Sequence, residues 1–165
     1  MNDVNIREVR IQDLDRCFEI ESVSYAGDEA ASKEKIENRI NTYSEGFIVL
    51  EQDKTVAGFI NCGACNKVEL SDEEFKELVG HDSEGKYVVI LSVVVHPDFQ
   101  GKGYAKLLMD SFIEKMTNLH KKEIYLICQT SLVDMYKKSG FVYIGESQSD
   151  HGGLSWHEMS LPLDS

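Results

Sequence analysis

Residues 91–108 read LSVVVHPDFQGKGYAKLL, and the manner in which this stretch changes character decides the fold. Together with the preceding KYVVI it forms a near-continuous run of β-branched residues, which predicts a strand buried on both faces. The run ends in a turn holding Gly101 and Gly103. From there Tyr104, Ala105, Leu108, Met109, Phe112, Ile113, Met116 and Leu119 recur at helical spacing, the pattern of a helix packed on a sheet. Glycine has no Cβ and lets a ligand approach the backbone closely, and a helix start offers unpaired N–H groups and partial positive charge. A strand that passes through glycines into a helix N-terminus is built to hold phosphate.

Composition narrows what that phosphate belongs to. At 165 residues, 42% of them hydrophobic, the chain is read as one domain, 1–165, with enough apolar surface for a core of its own. Seventeen Lys and Arg against 29 Asp and Glu give a net charge of −12, the wrong sign for a nucleic-acid partner. The N-terminus, MNDVNIREVR, lacks an apolar signal core, and the longest mostly apolar stretch, Tyr87 to Val95, is too short to span a membrane. These features predict a cytoplasmic protein without a membrane partner. Cys62 and Cys65 form C-x-x-C, but no second half-site accompanies them; they are read as small residues finishing a strand, and no metal is expected.

The rest of the chain reads as alternating short strands and helices. A first strand is predicted around Ile6 to Ile11. A helix capped by Asp13 carries Leu14, Cys17, Phe18 and Ile20, and a second begins near Ser32 with Ile36 and Ile40. Residues 46–61 predict a β-hairpin turning at Gln52-Asp53-Lys54. A capping box from Ser71 to Glu74 opens a short acidic helix. After the long helix come the strand EIYLIC, the helix LVDMYKKSG stopped by Gly140, and two closing strands, FVYIG and LSWHEMSL. The order predicts one mixed α/β (α+β) domain.

The turn fits neither the P-loop spacing nor the dinucleotide fingerprint, whose third glycine is replaced by Lys106. It does fit [QR]-x-x-G-x-[GA], as Gln100, Gly101, Lys102, Gly103, Tyr104 and Ala105, the signature of the acetyl-CoA pyrophosphate loop in the GNAT superfamily of N-acetyltransferases. The Y-x-K-x-G-F segment from Tyr136 to Phe141 is similar to the superfamily's other half-site, so the chain resembles a GNAT N-acetyltransferase over nearly its whole length. The runs LICQTSLVDMYKKSGF, LSVVVHPDFQGKG and LSWHEM resemble the serotonin (arylalkylamine) branch most. The resemblance implies a mixed, mostly antiparallel sheet of six or seven strands flanked by four or five helices. It implies acetyl-CoA as co-substrate, pantetheine along Val93, Val94 and Val95, pyrophosphate on Gln100 to Lys106, and Tyr136 beside the acetyl-CoA sulfur. The two histidines of the vertebrate serotonin enzymes are replaced here by Val89 and Leu91.

Acetyl transfer from a thioester to a primary amine needs a neutral amine, an aligned carbonyl, stabilisation of the oxyanion and a proton for the leaving thiolate. Alignment of a tethered cofactor supplies much of the barrier reduction, so direct transfer is expected. A strand N–H near Val94 is the candidate to polarise the carbonyl, and Tyr136 the candidate general acid. With the histidine pair absent, water takes the amine proton, with His81 the one named alternative base. Glu21, Asp28 and Glu29 lie where the resembled fold borders its acceptor and would favour a small cationic amine, arylalkylamine- or polyamine-like. The competing reading is a CoA-binding regulatory or sensor domain without transfer activity. The acceptor and a homodimeric state are left open.

Overall fold

A computed structural model describes residues 3–24, 31–66, 78, 81–146 and 156–163. Among the described residues, seven strands form one sheet in the order β1-β2-β3-β4-β5-β7-β6, and four helices flank it. The strands are β1 (Val4–Glu8), β2 (Phe47–Gln52), β3 (Thr55–Cys65), β4 (Tyr87–Val95), β5 (Glu123–Gln129), β6 (Val142–Glu146) and β7 (Trp156–Pro162). The helices are α1 (Leu14–Ser24), α2 (Lys33–Thr42), α3 (Tyr104–Asn118) and α4 (Val133–Lys138). Every neighbouring pair is antiparallel except β4 and β5, which run parallel.

Local chemistry explains most boundaries. Ser32 caps α2 by accepting from Lys35 N at 3.2 Å. The β2–β3 hairpin turns through Asp53 and Lys54, both with positive φ (53° and 72°), the geometry of a two-residue turn matched to strand twist. Asp13 is used differently from its expected cap role. It sits in a 3₁₀ turn, buried, accepting from Arg10 N at 2.8 Å and from Arg7 Nη1 and Nη2 at 2.9 Å each. Burial opposes its charge, but the Arg7 and Arg10 bonds outweigh that and hold its pKa below the ordinary value. The carboxylate therefore locks β1 to the start of α1. The acidic helix expected from Ser71 lies outside the described residues.

Two cores sandwich the sheet. On one face Ile60, Val88 and Ile90 pack with Leu108, Met109, Phe112 and Met116 of α3 and Tyr136 of α4. On the other, Phe47, Val49, Phe59 and Val94 pack with Cys17 and Ile20 of α1 and Ile36 and Ile40 of α2. A strand covered on both sides can be apolar at nearly every position, which is why β4 shows no alternation. Cys62 and Cys65 both lie in β3, buried as free thiols in different clusters.

Candidate active site

Two irregularities in β4 make the site. First, its register with β3 slips: Asn61 opposes Ser92, yet Cys62 opposes Ile90, so Leu91 is the extra residue of a β-bulge. Second, β4 pairs with β5 only from Tyr87↔Glu123 to Val89↔Tyr125. Both strands continue beyond that point, β4 to Val95 and β5 to Gln129. The sheet therefore splits along its one parallel seam.

Which groups face the split follows from the β3 ladder. His96 N donates to Ala57 O at 2.8 Å, and the register is unbroken from Gly58↔Val95 to Asn61↔Ser92. Alternation then directs the main-chain groups of Val94 toward β3 and those of Val93 and Val95 toward the split. Val95 O is found there, accepting from Gln100 Nε2 at 3.1 Å. The polarising N–H expected near Val94 is thus not Val94's own.

Beyond β4, the His96 ring caps the next turn by accepting from Asp98 N at 3.0 Å through Nδ1. Gly101 and Gly103 take φ of 80° and 79°, conformations that cost an L side chain dearly. A Cβ built on either meets nothing within 4 Å, so the turn is an open cradle. Gly103 is the N-cap of α3, and Leu107 N already donates to its carbonyl at 3.1 Å. The N–H groups of Tyr104, Ala105 and Lys106 belong to the first turn, where a helix has no carbonyls of its own to offer. The Tyr104 side chain is buried and donates to Gln52 Oε1 on β2, which anchors the helix start. Lys106 Nζ pairs with Asp110 at 2.9 Å on the surface, and Lys102 is exposed. The cradle fits a pyrophosphate: open, donor-lined and carrying the helix's positive end.

Tyr136 is buried in α4, its ring 5.9 Å from that of Phe141 in an edge-on contact. It belongs to the same cluster as Leu126 and Cys128, which lie on the part of β5 that has left β4. Burial pushes the Cys128 thiol up to about 11, so it stays protonated at neutral pH and is a poor nucleophile.

On the opposite face, under the bulge, lies a polar group that sequence reasoning found only in part. Glu21 is 1% exposed and accepts from Ala31 N at 2.8 Å. Arg39 Nη1 donates to Asn61 Oδ1 at 3.4 Å and to Ser92 Oγ at 3.3 Å, all three residues buried. The signal was legible: Arg39 shares the apolar stripe of Ile36 and Ile40, and Asn61 interrupts an apolar strand. Asp28 and Glu29 lie outside the described residues.

His81 is placed apart from all of this. Its Nδ1 accepts from Ala64 N at 2.9 Å, and Ala64 opposes Val88 at the closed end of β4. Val88 and Ser92 are four residues apart, roughly 13 Å at about 3.3 Å per residue. The His81 ring lies tilted against Tyr43, with centroids 4.6 Å apart and planes at 52°. The structure does not bring it to the split. Among the described residues, no three His, Cys, Asp or Glu are grouped to hold a metal ion, and no helix is long and apolar enough to cross a membrane.

Comparison with known proteins bears on the family and the fold. The family model described as "Acetyltransferase (GNAT) family" matches residues 11–141. The chain belongs to the acetyltransferase (GNAT) family. An uncharacterized N-acetyltransferase, ycf52, from Pyropia yezoensis is 36% identical over 58 residues, a stretch covering 35% of this chain and 33% of that relative. The loading GNATL domain of CurA from Lyngbya majuscula superposes with a TM-score of 0.87 at 16% identity, covering 98% of each chain. The protein yncA from Salmonella typhimurium, solved with its cofactor acetyl-CoA, gives a TM-score of 0.71 at 18% identity over 98% of this chain and 95% of its own. At such identities the structural likeness establishes the fold, a GNAT sheet of seven strands flanked by four helices.

Proposed function

We propose that this chain, working as one domain, transfers acetyl from acetyl-CoA directly to a small primary amine, in the manner of the arylalkylamine branch. The observation that carries the reading is the split between β4 and β5 leading into the open Gly101–Gly103 cradle. Gln100 to Lys106 would hold the pyrophosphate. The pantetheine amides would pair along Val93 to Val95, and a main-chain N–H of Val93 or Val95 would meet the thioester carbonyl. Tyr136 would return a proton to the departing thiolate. Cys128 is held protonated, which favours transfer without a covalent enzyme intermediate.

For the acceptor, the α1/α2 face offers an apolar surface. Val89, Leu91, Tyr87 and Tyr125 cluster there, with the two tyrosine rings edge-on at 6.1 Å. Val89 and Leu91, which replace the histidines of the resembled enzymes, form part of that surface and suit the carbon skeleton of an alkyl or aryl amine.

The test is a CoA-release screen over aromatic amines, polyamines, aminoglycosides and peptides. Turnover with a small amine is the expected result. Turnover with peptides alone would replace the small-amine reading, and CoA binding without release from any acceptor would leave the sensor reading in its place.

A further inference from the structure

The cluster beneath the bulge contains two orphaned polar atoms. Glu21 Oε1 and Asn61 Nδ2 are buried without a hydrogen-bond partner, although each residue's other polar atom is engaged. One orphan accepts and the other donates, and a buried polar group left alone is costly. Both residues neighbour Ser92, whose hydroxyl accepts from Arg39. Ser92 follows the bulged Leu91 and precedes Val93, whose main-chain groups face the split; its own main chain faces β3 and its side chain reaches under α1 and α2. A water bonded to Glu21 Oε1, Asn61 Nδ2 and the Ser92 hydroxyl would satisfy both orphans, and three polar partners are what a buried water ordinarily has.

We propose that Glu21 is the terminal proton acceptor of the transfer, reached through such a water and Ser92, with Asn61 and Arg39 as positioning residues. This rests on the transfer reading above. The ammonium of the bound amine gives one proton through the relay to the Glu21 carboxylate. The freed nitrogen lone pair forms the C–N bond, and the C–S bond breaks toward the thiolate. The thiolate takes a proton from Tyr136, which recovers it from the amide nitrogen, so the one proton released overall leaves by way of Glu21.

The surroundings favour the protonated form of this carboxyl more than water does. Burial raises the Glu21 pKa from its ordinary value, opposed by the Ala31 N–H, the Arg39 charge and the nearby Ser92 hydroxyl. The other titratable neighbour on α1, Cys17, is pushed up to about 12, chiefly by burial, and stays neutral. Arg39 is the one cation acting on this carboxylate among the described residues.

The test uses the full chain, acetyl-CoA and whichever amine turns over in the CoA-release screen. In the wild type, kcat/KM should rise through an inflection above the usual carboxylate range. Glu21→Gln keeps an oxygen for Ala31 N–H but cannot take a proton; it should lose roughly 30-fold or more in kcat/KM along with that inflection, while CoA affinity by calorimetry is unchanged. Ser92→Ala, a milder change, removes a group that lowers the Glu21 pKa, so it should move the inflection to higher pH. Infrared spectra of the free protein should show a protonated carboxyl band, absent from Glu21→Gln, that titrates above the usual range. Turnover with an unaltered profile in Glu21→Gln overturns the relay alone, as does an unmoved inflection in Ser92→Ala should the Gln variant fail to fold. Absence of turnover with every amine would instead overturn the transfer reading itself.

Discussion

The two ends of β4 are built on opposite plans. At its start, Tyr87 to Val89 pair with β3 on one side and β5 on the other, and the neighbouring lysines are tied down, although His81 Nε2 is buried there without a hydrogen-bond partner. Lys121 is 4% exposed, yet its Nζ donates to Ser83 O at 2.9 Å and Gly85 O at 2.7 Å; Lys122 N donates to Lys86 O at 2.7 Å. At its finish the strand is paired on one side only, bulged at Leu91, and followed by two glycines in left-handed geometry with open space beside them. The titratable groups at the closed end, His81 and Lys121, invite a catalytic reading, but pairing shuts that end. Main-chain groups are free for a cofactor only where the sheet leaves its edges available, so under the proposed function the closed end offers side-chain surface alone, and the variants below should separate the ends accordingly.

The largest effect is expected at the open end. Tyr136→Phe removes a hydroxyl while keeping the ring against Phe141. If that hydroxyl supplies the thiolate's proton, kcat should fall by roughly 100-fold with little change in CoA affinity. Wild-type kcat, under conditions where chemistry limits the rate, would remove Tyr136 from the mechanism. Gly103→Val should follow, because it imposes a β-branched residue on φ 79° and fills the cradle. CoA affinity measured by calorimetry should fall by roughly 30-fold, about 2 kcal/mol. Affinity for pantetheine, which lacks the pyrophosphate, should change far less.

At the closed end the expected pattern is reversed. Lys121→Met keeps the aliphatic stem but strips the donor from two carbonyls, and a buried acceptor left alone costs about 1–3 kcal/mol. Urea unfolding should register a loss of that order. Turnover and CoA affinity should stay at wild-type levels, and a fall in kcat instead would mean that the two ends are coupled.

Much of the fold could be read in the sequence because local signals and tertiary context agree in it. The Ser32 cap, the Asp53-Lys54 turn and the α3 stripe each specify their element without help from distant residues. The cradle was legible for the same reason, being one continuous stretch. The bulge at Leu91 and the parting of β4 from β5 were not, since pairing partners lie some thirty or more residues away and leave no periodic trace. Asp13 was misread because Arg7, on a neighbouring strand, claims the carboxylate that a helix start would otherwise use. Glu21 was picked out for its charge and location, but its partners were not: Arg39 shares the stripe of Ile36 and Ile40, yet what it meets shows only when α2 is laid on the sheet.

The smallest effect concerns His81 and sharpens the contrast through pH. Its pKa lies below the ordinary 6.5, first because burial disfavours the cation and then because Lys121 is near, against the raising influence of the Ala64 bond and Asp82. The unfolded chain therefore binds a proton more readily than the folded one. Stability from this group is fully present above pH 6.5 and is lost as pH falls from there toward the folded-state pKa. His81→Gln cannot be protonated, so the variant should lose less stability than the wild type between pH 7.5 and pH 5.5. For a chain of this size the difference should be about 1–2 °C in Tm. The same variant should leave the pH profile of kcat/KM unchanged, because its ring faces Tyr43 and Ala64 at the closed end. A profile that loses its inflection in His81→Gln would move the base to this histidine and reverse the assignment of the two ends.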